Sequence, residues 1–361
     1  MIDKNLTLFL VLKDRPYYTY RLMKYMDWLK YPFKIIIADG GKNKEIQQVL
    51  EENKNFPNLD YTYVRCPYDG TLDDFHEKMG DTIKLVDTPI VSVIDNDDFF
   101  LLEGYFNCLN LLKENPTYTS ARGALNVISI AYDVWGQSHI GENIYSTYKN
   151  SVVGDTAADR MTFQTKNFHS NWHNLTRTNH VKACWAMLNV IKPQNMRFTE
   201  QVTGYLNVLW GTGYRGDFPW GLHQHGQRIE TGGNSLESHF PSQKEWISSE
   251  TWLGEFNKMT ELMGVAIAEY DDIPVEEAMN KFVDTYPFKV GELEKDFRIR
   301  TQEARSLGYN EERIKELFKV IKQHNIKELP QVGEIVFSPL TSHEEMVLLD
   351  KFLQSQGNVN A

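Results

Sequence analysis

Short apolar runs alternate with amphipathic stretches over the N-terminal third of the chain. The runs are rich in β-branched residues and are bounded by turn residues, which is typical of strands buried in a parallel sheet. The intervening stretches carry apolar residues at helical spacing. We predict strands at residues 6–12, 33–38, 60–66 and 90–94, and helices at residues 15–29, 44–53, 72–86 and 101–113. Strands that alternate with helices in this order predict an α/β fold with right-handed crossovers.

The pattern is less regular beyond residue 118. Residues 118–131 predict a strand or strand pair, whereas residues 132–166 and 216–233 are rich in Gly and aromatic residues without a clear period. We expect a long loop at residues 132–166, whereas around His223 and His225 both a strand and a loop stay open. Regular structure is predicted at residues 168–176, 179–190 and 199–210, and amphipathic helices at residues 252–268, 275–283 and 313–324. The last three predict a mainly helical C-terminal region that serves packing or oligomerisation.

Composition narrows the class of protein. The chain has 361 residues, of which 41% are hydrophobic, enough for a substantial core and for two domains. Its formal net charge of −11 argues against a mainly electrostatic nucleic-acid binder, which needs a basic face. The three cysteines, Cys66, Cys108 and Cys184, are widely spaced and odd in number, so a disulfide framework is not expected.

Nothing in the sequence predicts a targeting or membrane-spanning segment. The apolar run at residues 6–12 is too short for a signal peptide or a membrane span, and no later run is long enough to cross a bilayer. We therefore expect a cytoplasmic protein, with peripheral contact to a membrane left open.

An acidic cluster follows the fourth predicted strand. Asp95, Asp97 and Asp98 lie within four residues at the carboxyl end of this strand, where open α/β sheets bind ligands. Carboxylates this close repel one another unless a cation neutralises them, and Mg²⁺ or Mn²⁺ prefers such oxygen ligands. An equally simple interpretation is that Asp97 or Asp98 caps the helix that follows.

Several motifs in the same order resemble those of nucleotide-sugar glycosyltransferases with the GT-A fold. The closest resemblance is to a bacterial group that shares a generic glycosyltransferase domain and is related to the family 2 enzymes. The match covers roughly residues 5 to 230. The motifs are Lys13-Asp14-Arg15-Pro16 after strand one, Asp39 ending strand two, the helix at residues 74–84, Asp95-Asn96-Asp97-Asp98, Asn171 to Arg177, and Thr199-Glu200.

The resemblance implies a Rossmann-like, mostly parallel sheet flanked by helices. Residues 1–240 would form the GT-A domain, with a nucleotide-sugar half at about 1–118 and an acceptor half at about 119–240. Residues 241–361 would form the helical C-terminal region, which has no counterpart in the family and is a possible route to a homo-oligomer.

The resemblance also implies a metal ion, Mn²⁺ or Mg²⁺, that bridges the donor diphosphate. Asp97 is expected to be the main ligand and Asp95 to share the role. His223 or His225 would supply a third ligand from a late segment. Two histidines in an exposed loop are an equally simple interpretation of that spacing.

Further residues are expected to bind the donor, for which a UDP-sugar is the first expectation. Lys13, Arg15, Lys78 and Arg228 would meet phosphate or base, and Asp39 would accept a base N–H. The alternatives are a tight-turn contact for Asp39, a surface ion pair for Arg15 and an ordinary helix-surface lysine for Lys78.

Glu200 is the candidate general base of an inverting transfer to a hydroxyl acceptor in surface glycan or polysaccharide synthesis. The alternative is a glutamate that stabilises the helix dipole. His169, Trp172 and His173 could face the acceptor, although core packing is the default for Trp172.

Three rival functions remain. One is a glycan-binding or scaffold protein on a degenerate GT-A fold. A second, a sugar nucleotidyltransferase, would need a glycine-rich loop after strand one, where this chain has Lys13-Asp14-Arg15-Pro16. A third, a phosphatase of the haloacid dehalogenase type, would need Thr or Val where Phe99 stands, and its acidic motif would follow the first strand.

Overall fold

A computed structural model describes residues 2–132, 138–146, 150–225, 243–286, 294–335 and 340–355. Within them nine strands form one sheet. The strands are β1 (Asp3–Leu12), β2 (Phe33–Asp39), β3 (Asp60–Arg65), β4 (Ile90–Asp95), β5 (Phe99–Phe100), β6 (Tyr118–Tyr132), β7 (Ser138–Ser146), β8 (Leu175–Arg177) and β9 (Thr212–His225).

The described residues also form thirteen α-helices around the sheet. Seven accompany the strands: α1 (Pro16–Leu29), α2 (Lys44–Glu51), α3 (Leu72–Thr82), α4 (Leu102–Glu114), α5 (Ala157–Lys166), α6 (Thr178–Ile191) and α7 (Met196–Leu209). Six form the C-terminal region: α8 (Gln243–Ser248), α9 (Trp252–Asp271), α10 (Val275–Thr285), α11 (Glu294–Ser306), α12 (Glu311–Gln323) and α13 (Ser342–Ser355).

The sheet has the strand order β3-β2-β1-β4-β8-β6-β9-β5, with β7 paired to β6. The first four strands in this order are parallel, and β8 runs antiparallel to both β4 and β6. The predicted α/β class, a sheet flanked by helices with a mainly helical C-terminal region, is therefore confirmed. The parallel half also places the carboxyl ends of β1, β2 and β4 at one edge of the sheet, and the ends of β1 and β4 line the candidate site.

The second half of the sheet differs from the sequence-based prediction. Residues 216–225, for which the sequence shows no clear period, belong to the long strand β9, which pairs in parallel with β6. Part of the loop predicted at residues 132–166 is the helix α5, and residues 168–176 contribute only the short strand β8. The predicted domain boundary near residue 240 lies outside the described residues and stays a prediction.

The C-terminal helices share a hydrophobic core with the sheet and with the helices that flank it. Trp246, Trp252 and Phe256 are fully buried in one cluster with Trp185 of α6 and Phe198 of α7. Burial of aromatic side chains on this scale is a major source of stability.

Polar contacts reinforce this packing. The Trp210 indole N–H donates to the backbone oxygen of Ala266 at 3.1 Å, and the Arg177 guanidinium donates to that of Pro330. At the start of α5, the Asp271 carboxylate at the end of α9 accepts from Ala157 N at 2.7 Å and from Ala158 N at 3.2 Å.

Two glycines of α9 offer a matched test of the α9–α10 packing. A methyl group at Gly264 would overlap the Met279 side chain of α10, whereas among the described residues no atom lies within 4 Å of a methyl group at Gly254. Gly264→Ala should lower the free energy of unfolding by about 1–2 kcal/mol, because the overlap exceeds the gain in helix propensity. Gly254→Ala should raise it by up to about 1 kcal/mol. Urea unfolding of both variants measures this, and equal effects would contradict the packing described.

The cysteines Cys66, Cys108 and Cys184 are all unpaired, as the sequence predicts. None of the helices within the described residues combines the length and the apolar character needed to span a bilayer.

Candidate active site

The site begins where β1 leaves the sheet. Asp14 and Arg15 follow this strand with positive φ angles of 57° and 62°, a left-handed conformation that is uncommon outside glycine. Asp14 Oδ1 holds the turn by accepting from Lys42 N and Asn43 N, both at 2.7 Å. Pro16 then begins α1 with a preset φ. This turn directs Lys13 and Arg15 towards the ends of the neighbouring strands.

Two carboxylates and one histidine meet at the end of β4. Asp95, Asp98 and His173 each offer a ligand atom, and these atoms all lie within 4.8 Å of one another. His173 Nε2 is 3.7 Å from Asp95 Oδ2 and 3.4 Å from Asp98 Oδ2. The three residues have the composition of a site for a divalent cation.

The orientation of His173 suits a metal ligand. Its Nδ1 lies 3.0 Å from the backbone oxygen of Val93, which can only accept, so Nδ1 carries the proton of the neutral ring. In the neutral form of the ring the lone pair then lies on Nε2, which faces the two carboxylates. A backbone carbonyl that fixes the tautomer in this way is the usual support for a metal-binding histidine.

The ionisation of Asp95 reflects the crowding of the cluster. Its side chain lines a concave surface, and 39% of this side chain is exposed. Burial raises the pKa of Asp95 to about 6; His173 opposes this rise, and the charges of Asp97 and Asp98 add to it. A cation at this position would relieve the repulsion among the three carboxylates.

Asp97 and Asp98 have different partners. Arg15 donates to Asp97 Oδ2 at 2.9 Å, and Arg21 donates to the backbone oxygen of Asp97 at 3.2 Å. Asp98, only 1% exposed, lies 2.8 Å from His223 Nδ1 and accepts from Gln224 N at 3.1 Å. The hydrogen bond to Asp98 raises the pKa of His223 to about 9.

The structure therefore places the predicted metal residues in three environments. Asp95 lies in the cluster, Asp97 is paired with Arg15, and His223 contacts Asp98 from β9. His225 ends β9, but its side chain lies outside the described residues, as does the whole of Arg228. The assignment of Asp97, His223 and His225 as metal ligands stays a prediction.

A cavity of about 350 Å³ opens beside the cluster. It brings together residues that the sequence assigned to different roles. Its lining includes the predicted phosphate contacts Lys13, Arg15 and Lys78, the acidic residue Asp95, and Glu200. Ser170, Trp172 and Met196 complete the wall on the side of α7.

Asp69 is a site residue that the sequence analysis missed. Its carboxylate is fully buried, accepts from Lys78 Nζ at 2.6 Å, and lies 3.6 Å from Lys13 Nζ, which also donates to the Asp69 backbone oxygen at 2.5 Å. Burial raises the pKa of Asp69, and the charge of Lys78 opposes this rise. A signal was available, because Asp69-Gly70 follows β3 at the same sheet edge as Asp39 and Asp95.

Asp39 is buried at the end of β2, with its carboxylate in contact with three donors. Tyr63 donates to Oδ2 at 2.6 Å and Arg65 at 2.7 Å, while Oδ1 accepts from Gly41 N at 2.8 Å. The last contact is the turn interaction that was left open as its alternative role. Its expected contact with a base N–H stays a prediction.

Glu200 lies deeper in its helix than predicted. α7 begins at Met196, capped by the Asn195 side chain, so Glu200 is in the second turn and not at the helix start. This position weakens the dipole interpretation, which applies to the first turn. Arg197 NH1 donates to Glu200 Oε2 at 3.0 Å. The preceding Thr199 is held by buried His76 of α3, with Oγ1 and Nε2 2.8 Å apart.

Solved structures of S. aureus TarS are similar to this chain. TarS 1-349 in complex with UDP-GlcNAc has 13% sequence identity and a TM-score of 0.47, with 89% of this chain and 88% of that chain covered. TarS 1-349 alone has 12% identity and a TM-score of 0.41, with 81% and 92% covered. No protein-family model matches the chain, and no curated protein matches it. These sequence identities and TM-scores are too low to assign a function to this chain.

Proposed function

We propose that this protein is a glycosyltransferase that moves a sugar from a nucleotide-sugar donor to a hydroxyl group. The observation that carries the proposal is the combination within one cavity of basic side chains, the acidic cluster and a separate carboxylate. Lys13, Arg15 and Lys78 line one part of this cavity, Asp95 lies at the acidic cluster, and Glu200 comes from α7. A diphosphate needs the first two groups, and an attacking hydroxyl needs the third.

The basic residues suit the diphosphate of the donor. Lys13 and Lys78 both line the cavity, and both contact the buried carboxylate of Asp69, which holds the two ammonium groups close together. Arg15 adds a guanidinium, which can bind phosphate in a bidentate manner. We propose a UDP-sugar as the donor and the cytoplasm as the location, as the sequence analysis expects.

Asp95, Asp98 and His173 fit a Mn²⁺ or Mg²⁺ ion in ligand type and in the orientation of the His173 ring. When bound, such an ion supplies charge stabilisation for the leaving nucleoside diphosphate.

Glu200 is proposed to act as the general base. Its carboxylate would take the proton of the acceptor hydroxyl while the hydroxyl oxygen forms a bond to the anomeric carbon. The bond between that carbon and the phosphate oxygen breaks, and the electron pair leaves with the nucleoside diphosphate. A single displacement of this kind inverts the configuration of the sugar.

Nucleotide binding gives the first test of the proposal. We expect a nucleoside diphosphate to raise the melting temperature of the protein with Mn²⁺ and not with EDTA, because the ligand binds only the folded state. Lys13→Gln should weaken this binding about tenfold by removing a charge-assisted contact. The control is Lys84→Gln, since Lys84 is a largely exposed lysine paired with Asp81.

The outcome also separates the rival functions. Absence of any shift, with the protein shown to be folded, would contradict the proposal and favour a glycan-binding or scaffold protein. A shift followed by release of nucleoside diphosphate from the sugar nucleotide supports a transferase. Release of pyrophosphate from a nucleoside triphosphate and a sugar phosphate would instead identify a nucleotidyltransferase.

A further inference from the structure

Helix α13, in the C-terminal region, has a buried carboxylate that contacts α1 and α4. Glu345 is 0% exposed and receives hydrogen bonds from two separate parts of the chain. Leu102 N, at the start of α4, donates to Oε2 at 2.6 Å, and Tyr25 OH of α1 donates to Oε1 at 2.9 Å. Tyr31 OH lies 3.3 Å from Oε1. Burying a carboxylate is costly unless donors surround it, and here they do.

The partners of Glu345 hold the segment that follows the acidic cluster. Tyr31 OH also bonds to the backbone oxygen of Phe100, in the short strand β5 that comes directly after Asp98. The Tyr25 ring packs edge-on against Phe99, with centroids 5.1 Å apart. Glu345 therefore contacts the two tyrosines that anchor β5 and the backbone amide that begins the next helix.

Helix α1, which carries Tyr25, also contacts the acidic loop formed by residues 95–98. Asn96 Nδ2 donates to Thr19 Oγ1 at 3.0 Å, and the backbone oxygen of Asp97 accepts from Arg21. Arg15, which precedes α1, binds the Asp97 carboxylate. Glu345 therefore links α1, through Tyr25, to the start of α4, and Tyr31 extends this link to β5. Helix α1 contacts residues 96 and 97, and β5 and α4 follow residues 95–98 in the chain.

Two further contacts fix α13 in this position. Ser342 N donates to the Glu103 carboxylate of α4 at 2.6 Å, which mirrors the bond from Leu102 N to Glu345. Phe352 stacks on Trp28 and packs against Tyr25. The helix is thus docked by a reciprocal pair of hydrogen bonds and by aromatic packing.

We propose that Glu345 is a positioning residue for the acidic loop, and that α13 thereby sets the affinity of the site for its metal ion. Removal of the carboxylate would leave Leu102 N and Tyr25 OH without this acceptor, while Tyr31 OH would keep its bond to Phe100. The loop would then sample conformations in which Asp95, Asp98 and His173 no longer converge. The effect on metal affinity rests on the proposed function, whereas the effect on the loop does not.

Hydrogen exchange on the full chain tests the effect on the loop. In Glu345→Ala, amide exchange over residues 96–102 should rise about tenfold or more, while the core of α9 and α12 stays protected. Glu345→Gln keeps an acceptor oxygen and should restore most of the protection. Tyr31→Phe keeps the ring and removes only the hydroxyl, so it should give a smaller rise over the same residues. The control is Val347→Ala, because Val347 is 42% exposed on the same helix.

A titration with Mn²⁺ alone measures the second effect, and Glu345→Ala should weaken binding about tenfold without changing the stoichiometry. If the unaltered protein binds no Mn²⁺, the proposed function fails while the exchange result still stands. Unchanged exchange over residues 96–102, or a rise spread evenly through sheet and helices, would overturn the inference, since the latter is what a merely structural role produces.

Discussion

Replacing Glu200 with glutamine should lower the rate of sugar transfer by a factor of about 10²–10⁴ and leave donor binding within about twofold. The amide is nearly isosteric with the carboxylate, so α7 and its contacts should persist, but it cannot accept the proton of the attacking hydroxyl. Because Glu200 lies in the second turn of α7, its loss removes no charge from the helix start. Initial rates of nucleoside diphosphate release, with donor affinity measured on the same preparation, check this prediction.

The control for Glu200 is Glu312→Gln, since Glu312 is an exposed glutamate in the first turn of α12, far along the chain from the cavity. It should transfer sugar at the normal rate. A Glu200→Gln variant with near-normal turnover would exclude this residue as the base. A parallel loss of donor affinity and turnover would instead assign it to donor binding.

Asp95→Asn and His173→Gln should each weaken Mn²⁺ binding by about 100-fold and abolish the metal-dependent part of nucleotide binding. The reason is geometric, because both residues present a ligand atom to the same point, and His173 is oriented by the contact of its Nδ1 with the backbone oxygen of Val93. Chelation by EDTA should reproduce the effect of either substitution on the unaltered protein. Calorimetric titration with Mn²⁺, followed by a nucleoside diphosphate, measures both steps.

Matched substitutions at exposed positions are available for both residue types: Asp60→Asn and His343→Gln should leave metal binding unchanged.

The variant Asp97→Asn decides between two ligand sets. Retained Mn²⁺ binding favours the set with Asp98 and His173, and lost binding favours the sequence-based assignment of Asp97, in which Arg15 would release that carboxylate. Normal Mn²⁺ affinity in both Asp95→Asn and His173→Gln would exclude the cluster as the metal site.

The parallel half of the sheet could be predicted because each strand is a short apolar run with its own boundaries in the sequence. Strand β9 could not, because Gly216, Pro219 and Gly221 interrupt any local period, and its conformation is set by pairing with β6. The start of α7 was misplaced by three residues because its cap, Asn195, lies within a polar stretch without a distinctive pattern.

The candidate site was predicted partly from the family resemblance, at Lys78 and Glu200, and partly where residues come at or just after the end of a strand. Lys13, Arg15 and Asp95 do so, and the cavity contains all three. His173 was assigned to the acceptor side because the sequence cannot reveal that its ring reaches back to Val93, eighty positions earlier. Asp69 was missed because its importance comes from Lys78 on the next helix, and this pairing appears only in the folded chain.

The hydrogen bonds from the first turn of α5 to Asp271 have a consequence for replacing the C-terminal region. A helix of the sheet side begins on a carboxylate supplied by the C-terminal region, and Trp210 and Arg177 bond to the backbone of that region as well. A different helical region placed at this position would have to reproduce these contacts for α5, Trp210 and Arg177 to stay satisfied. A substitute without a carboxylate at the position of Asp271 would leave Ala157 N and Ala158 N without this acceptor.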